Sequence, residues 1–283
     1  MKHKVASWLL LAVAMSWGLA FVTMKDALGR QSVNSFLFYR FSLACIALLI
    51  VRPQIIKNLN RDVFKHGVII GLFYAAGFIF QTYGLDMTGA AITGFITGLY
   101  VVATPLFEQF FGGNKLSKVV WISIAIATIG LGLLSLKGFS IGIGELLVFI
   151  SALCYTGQII GLSKWSYGRD FWALTFVQLF TISVVTLFAA LIEGFQAPPD
   201  NGVWAVIVFT AVICSAVAAV IQTWSQAILE STKAAVIMTM EVVFSALFAV
   251  TLGGEVLSLR TLIGGLLVVI SMYTIVFHEG AKH

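Results

Sequence analysis

Runs of about twenty apolar residues, separated by short polar or glycine-bearing joints, recur ten times along the chain: near 5–26, 34–51, 67–85, 90–111, 118–136, 143–162, 171–192, 203–226, 234–252 and 259–278. Hydrocarbon about 30 Å thick, crossed at 1.5 Å per residue, needs about 20 residues per helix. Each run therefore reads as one membrane crossing. A barrel does not fit, because the runs are about twice the length of a barrel strand and lack strict alternation. Composition agrees: 60% of residues are hydrophobic and 10% charged, against about 45–50% and 25% in soluble domains. The first run, after Lys2 and Lys4, is read as an uncleaved helix because nine more follow it.

The net charge of +5 does not point to nucleic acid, since the basic residues stand singly between apolar runs. They set topology instead. With a cytoplasmic N-terminus, twelve fall on inner segments, whereas Lys25, Arg30, Lys137 and Arg260 fall outside. That bias predicts both termini on the cytoplasmic side of a bacterial-type inner (plasma) membrane. Cys45, Cys154 and Cys214 lie apart in apolar runs and are expected to be inert buried thiols.

The chain also repeats itself. Residues 81–117 laid over 222–258 at an offset of 141 match at Gln81/Gln222, Thr82/Thr223, Ile96/Ile237, Val101/Val242 and Leu106/Leu247, then again through Gly112-Gly113 and Leu116-Ser117. Upstream, an offset of about 138 pairs Trp17 with Tyr155 and Arg40 with Gln178. Each half then holds five helices. After an odd number of crossings the second half enters from the opposite face, so the halves are expected to be inverted, as in many transporters.

The segments TGAAITGFITGLYVVATPLFEQFFGGNKLS (88–117) and STKAAVIMTMEVVFSALFAVTLGGEVLS (231–258) resemble the two EamA domains of ten-helix members of the drug/metabolite transporter superfamily. The resemblance covers nearly the whole chain. It implies transport of a small molecule through a cavity between the halves, usually export of amino acids, other metabolites or drugs. Two departures stand out: Met240-Glu241-Val242 replaces the frequent Leu-Glu-Pro, leaving a break in helix nine open, and Gly113-Asn114 replaces Gly-Glu in the first copy.

Glu241 is the sharpest candidate for function. An ionised carboxylate at mid-membrane costs roughly 2.5–3.5 kcal/mol on insertion scales, and such groups mark substrate or proton pathways. It is expected to bind a substrate ammonium or to exchange protons; a brace against Arg40 is the bland alternative. Gln81 and Gln222 are an identical pair across the repeats, suited either to substrate hydrogen bonds or to ties between helices. Phe78 shares a helical face with Gln81, and Tyr74 lies on it too. Trp17, Tyr83, Tyr100, Tyr155 and Trp224 are aromatics at repeat-related positions that can wall a cavity, or else sit in the interfacial belt. Arg40 is a candidate for a substrate carboxylate, or snorkels to the outer interface. Glu108 is a candidate inner gate, with a solvated rim carboxylate as the plainer reading.

Enzyme motifs and a metal-ligating cluster are missing from the sequence, and no cofactor is called for. The expectation is an all-α membrane protein of ten transmembrane helices in two inverted five-helix repeats, 1–138 and 139–283. It would export small organic metabolites, foremost amino acids with aromatic or bulky apolar side chains, by gradient-driven alternating access through a central cavity. Rival readings are an exporter of cationic drugs or nucleobase-like solutes, a membrane-embedded lipid enzyme, and a non-transporting sensor or scaffold. Expected partners are the solute, the lipid bilayer and, if Glu241 couples to a gradient, protons; monomer and homodimer are both open.

Overall fold

A computed structural model describes residues 2–110, 117–137, 140–228 and 237–280. In lipid every backbone N–H and C=O must be met within the element itself, so the apolar runs become helices. The chain opens with α1 (Lys2–Leu28), α2 (Val33–Val51) and α3 (Arg61–Met87), a short 3-10 turn at Pro53–Asn58 joining the last two. The fourth run is divided into α4 (Ala90–Thr97) and α5 (Tyr100–Phe110), and α6 (Lys118–Ser135) follows. A two-residue antiparallel ladder, β1 (Leu136–Lys137) with β2 (Ser140–Ile141), leads into the second half. There α7 (Ile143–Trp165) and α8 (Phe171–Glu193) precede α9 (Asn201–Ala211), a π-turn at Val212–Val217 and α10 (Ala218–Gln226), which run on as one segment. The last helices are α11 (Met240–Thr251) and α12 (Leu259–Gly280). Among the described residues six helices are long and apolar enough to cross a membrane, and four shorter apolar helices accompany them.

Capping fixes several helix starts. The Asn60, Asp170 and Asp200 side chains accept the Val63, Ala173 and Val203 amides at 2.8, 2.9 and 3.0 Å. The Asn60 cap explains why α3 begins at Arg61 rather than near 67. Its first turn is polar, and Arg169 holds Asp62 there at 2.6 Å, so the apolar pattern alone misses it.

Packing brings like-numbered helices of the two halves together. α2 lies on α8 and α6 on α12, while α3 packs between α7 and α8, and α1 and α4 both contact α11. Direction follows from the end contacts. Gln196, just past α8, bonds Ser35 at the start of α2, and Asp170, the cap of α8, bonds Asn58 beyond the end of α2. α2 and α8 are therefore antiparallel. On the other flank a Cβ on Gly130 would strike the Gly264 carbonyl, and one on Gly264 would strike Gly130, so the backbones of α6 and α12 touch where both lack side chains. Exposed Trp121, Ile129, Leu262 and Leu266 clothe that pair in apolar surface.

The fourth run does not continue as one helix. Around Gly98 and Leu99 the bonds tighten to i→i−3, with Leu99 N–H on Ile96, Val101 on Gly98 and Val102 on Leu99, at 2.9–3.1 Å. A Cβ on Gly98 would run into Met272 and Val242, so the break sits where α4 meets α11 and α12. In the ninth run the same tightening appears at Thr239, whose carbonyl accepts Val242 N–H at 3.0 Å. Thr239 is 141 positions from Gly98, so the two breaks are counterparts, and the second needs no proline.

Candidate functional site

The breaks matter because of what they border. Thr97, Tyr100, Met238 and Glu241 flank them and line one cavity with Trp17, Phe21 and Met24 of α1, Arg40 of α2, Tyr74, Phe78 and Gln81 of α3, Tyr155 and Gln158 of α7, and Gln222 of α10. The space among these side chains, open solvent at the mouth included, is about 550 Å³.

Arg40 is 2% exposed, so it does not snorkel. Its Nε donates to Ser215 Oγ at 2.8 Å and Nη1 to Met24 Sδ at 3.2 Å, and its guanidinium lies over the Phe78 and Phe41 rings at 4.9 and 5.2 Å. Glu241 is 6% exposed, and its carboxyl group has neither a hydrogen bond nor an ion pair among the described residues. The brace between Arg40 and Glu241 is thus not made. A basic and an acidic side chain share one cavity without meeting.

The π-turn of the eighth segment serves this site. It presents the Cys214 carbonyl to the Trp17 indole N–H at 2.9 Å and the Ser215 hydroxyl to Arg40. The Cys214 thiol itself donates to the Ser16 carbonyl at 3.4 Å, and all three cysteines are free. Tyr155 donates its hydroxyl to Gln81 Oε1 at 2.8 Å, while its ring meets Phe78 and Tyr74 edge-on. Tyr100 Oη, Gln158 Nε2 and Gln222 Oε1 are buried polar atoms without a partner among the described residues. Such orphans are costly unless something else meets them.

Of the sequence candidates, Trp17, Arg40, Phe78, Gln81, Tyr100, Tyr155, Gln222 and Glu241 all line this cavity. Tyr83 and Trp224 do not. The Tyr83 hydroxyl is held instead by Asn34 and Glu193. The side chain of Glu108 lies outside the described residues. Sequence reasoning passed over Phe21, Met24, Thr97, Gln158 and Met238. Thr97 and Met238 were reachable, since each stands sixteen positions after its repeat's glutamine; Met24 and Gln158 carry no signal outside the fold.

A family model described as the EamA-like transporter family matches residues 4–136 and again 142–277. A relative in Archaeoglobus fulgidus, described as an uncharacterized transporter, is 31% identical over 264 residues, which cover 93% of this chain and 83% of the relative. The uncharacterized transporter YyaM of Bacillus subtilis is 24% identical over 295 residues, covering 97% of this chain and 94% of that one. A solved crystal structure superposes with a TM-score of 0.69 over 96% of both chains at 16% identity, a likeness of fold alone.

Proposed function

The chain belongs to the EamA-like transporter family and is a multi-pass membrane transporter, and on that premise we propose that it moves amino acids by alternating access through the cavity between its halves. The preferred solutes carry aromatic or bulky apolar side chains. The observation that carries this reading is a guanidinium and a carboxyl group buried in one cavity with no ion pair between them: the Arg40 guanidinium suits a carboxylate, and the Glu241 carboxyl, when ionised, an ammonium. Ionising Glu241 there without a partner is expensive in a membrane, and a zwitterion meets both groups at once. Trp17, Phe78 and Tyr155 offer flat walls to the remaining side chain.

Support for two inverted halves, 1–138 and 139–283, comes from the repeat, from the antiparallel packing of α2 on α8, and from the matching breaks at Gly98 and Thr239. Two halves of opposite orientation can exchange inward-open and outward-open shapes around a fixed site. The charge bias supports an inner-membrane position with both termini in the cytoplasm, and the direction we propose is export. Transport runs on a gradient, either by proton exchange at Glu241 or by facilitated diffusion of the solute.

Purified protein in proteoliposomes, loaded with labelled amino acids and diluted into unlabelled ones, tests the proposal. Exchange above that of empty vesicles is expected, most for aromatic and large apolar solutes. Exchange equal to empty vesicles across all twenty would remove the amino-acid reading.

A further inference from the structure

Gln81 and Gln222 occupy the same place in the two repeats, yet their amides differ in state. Gln81 is engaged at both ends: Oε1 accepts the Tyr155 hydroxyl at 2.8 Å and Nε2 donates to Thr97 Oγ1 at 3.0 Å. Gln222 Nε2 reaches only Met238 Sδ, at 3.9 Å, and its buried Oε1 has no partner among the described residues.

Two substitutions between the repeats produce the difference. The counterpart of Thr97 is Met238, which has a thioether in place of a hydroxyl. The counterpart of Tyr155 is Trp17, and the π-turn diverts its indole N–H to the Cys214 carbonyl of the same segment that bears Gln222. The donor that would have met Gln222 Oε1 is therefore used elsewhere. A buried acceptor is left unmet on a residue that lines the cavity, one turn from Glu241, because Met238, which Gln222 touches, precedes Glu241 by three residues.

We infer that Gln222 is a specificity-determining residue whose Oε1 accepts an N–H from the solute's ammonium group beside Glu241, while Gln81 is a helix tie that contacts no solute. The inference rests on the amino-acid reading above. A primary ammonium brings three donors, more than one carboxylate oxygen can meet, and a second acceptor favours it over a fully methylated nitrogen, which brings none.

The test uses the full-length protein in detergent and the tightest-binding of the twenty L-amino acids, with its N,N,N-trimethyl derivative as comparison. In the wild type the primary amine should bind the tighter of the two. Gln222→Met should weaken the primary amine about 10- to 100-fold, the loss expected for a hydrogen bond to a charged group, and should barely move the trimethyl compound. Gln222→Glu keeps an acceptor and should restore the preference. Gln81→Met should lower the melting temperature and leave the preference intact. A preference unchanged in Gln222→Met, or lost only in Gln81→Met, overturns the inference while leaving amino-acid transport standing. If none of the twenty binds, the amino-acid reading falls and this inference falls with it.

Discussion

Ser42 and Ser183 stand 141 positions apart in the chain and hold their hydroxyl oxygens 2.8 Å from each other. At the offset of about 138 that pairs Arg40 with Gln178 on these two helices, the counterpart of Ser42 is Phe180, one turn from Ser183, so the contact joins α2 to α8 near the two-fold that would relate them. When two halves exchange shape, contacts near the axis persist and contacts far from it are remade. Cysteines at both positions, in a chain cleared of Cys45, Cys154 and Cys214, should form a disulfide under mild oxidation because the side chains already touch. The cross-linked protein should still exchange solute. Exchange lost on oxidation and regained on reduction would place sliding at this contact.

The loop after α1 is tied to the start of α9 by Arg30 and Asp200, 2.5 Å apart. The Val203 amide, and with it the Arg30 guanidinium, holds the Asp200 carboxyl below its ordinary value against a desolvation penalty. A carboxyl depressed in the folded state stabilises the fold above its unfolded value of about 3.9 and loses that contribution as pH falls through the lower, folded value. Melting temperature should therefore decline below about pH 4, and less steeply in Asp200→Asn, which keeps the cap on Val203 without the charge. Equal acid limbs in the two proteins would assign the decline to other carboxyls.

Much of the fold is legible in the sequence because its signal is local. A long apolar run in lipid has to meet its backbone groups within itself, and each of the ten runs does contain a helix, six of them among the described residues long and apolar enough to cross a membrane. What is not legible depends on contacts made far along the chain. The break at Gly98 answers to Met272 and Val242, and the π-turn answers to Trp17 and Arg40, neither of which is near in sequence. The site divides the same way. The repeat finds Gln81 and Gln222, but which amide is engaged depends on where Tyr155 and Trp17 send their hydrogens. Tyr83 could have been set aside from the sequence alone: two residues beyond Gln81, it points about 200° around the helix from it.

The role proposed for Glu241 extends from binding to energy coupling. A carboxylate that alternately faces the two sides can carry a proton one way and solute the other. In Glu241→Gln, accumulation driven by a pH gradient should vanish, whereas downhill exchange should persist with its half-saturation raised about 10-fold for the lost charge-assisted bond. Measuring both fluxes in one vesicle preparation separates the roles. Full pH-driven accumulation in the variant would leave Glu241 as a binding group only.

The link between α3 and α4 is gripped from both sides at the end of the bundle that the charge bias assigns to the exterior. Lys25 of α1 donates to the Leu85 carbonyl at 2.9 Å and to the Thr88 carbonyl, while Glu255, between α11 and α12, accepts the Ala90 and Ala91 amides at 2.6 and 3.3 Å. A cation meets the carbonyl end of one helix and an anion the amide end of the next, so each complements the terminal dipole it faces. Under the alternating access proposed above, an outward opening has to break this contact, since Glu255 comes from the second half and the amides from the first. Glu255→Ala removes a charge-assisted bond worth about 1.5–3 kcal/mol, and the outward-open population should rise about 10- to 100-fold, whereas Lys25→Met, whose bonds stay within the first half, should lower the melting temperature without that rise. A cysteine at Ala20, on the cavity wall, reports this through its labelling rate with an impermeant maleimide added outside. Unchanged labelling in Glu255→Ala, with its melting temperature lowered, would make that contact a static brace and move the outer gate elsewhere.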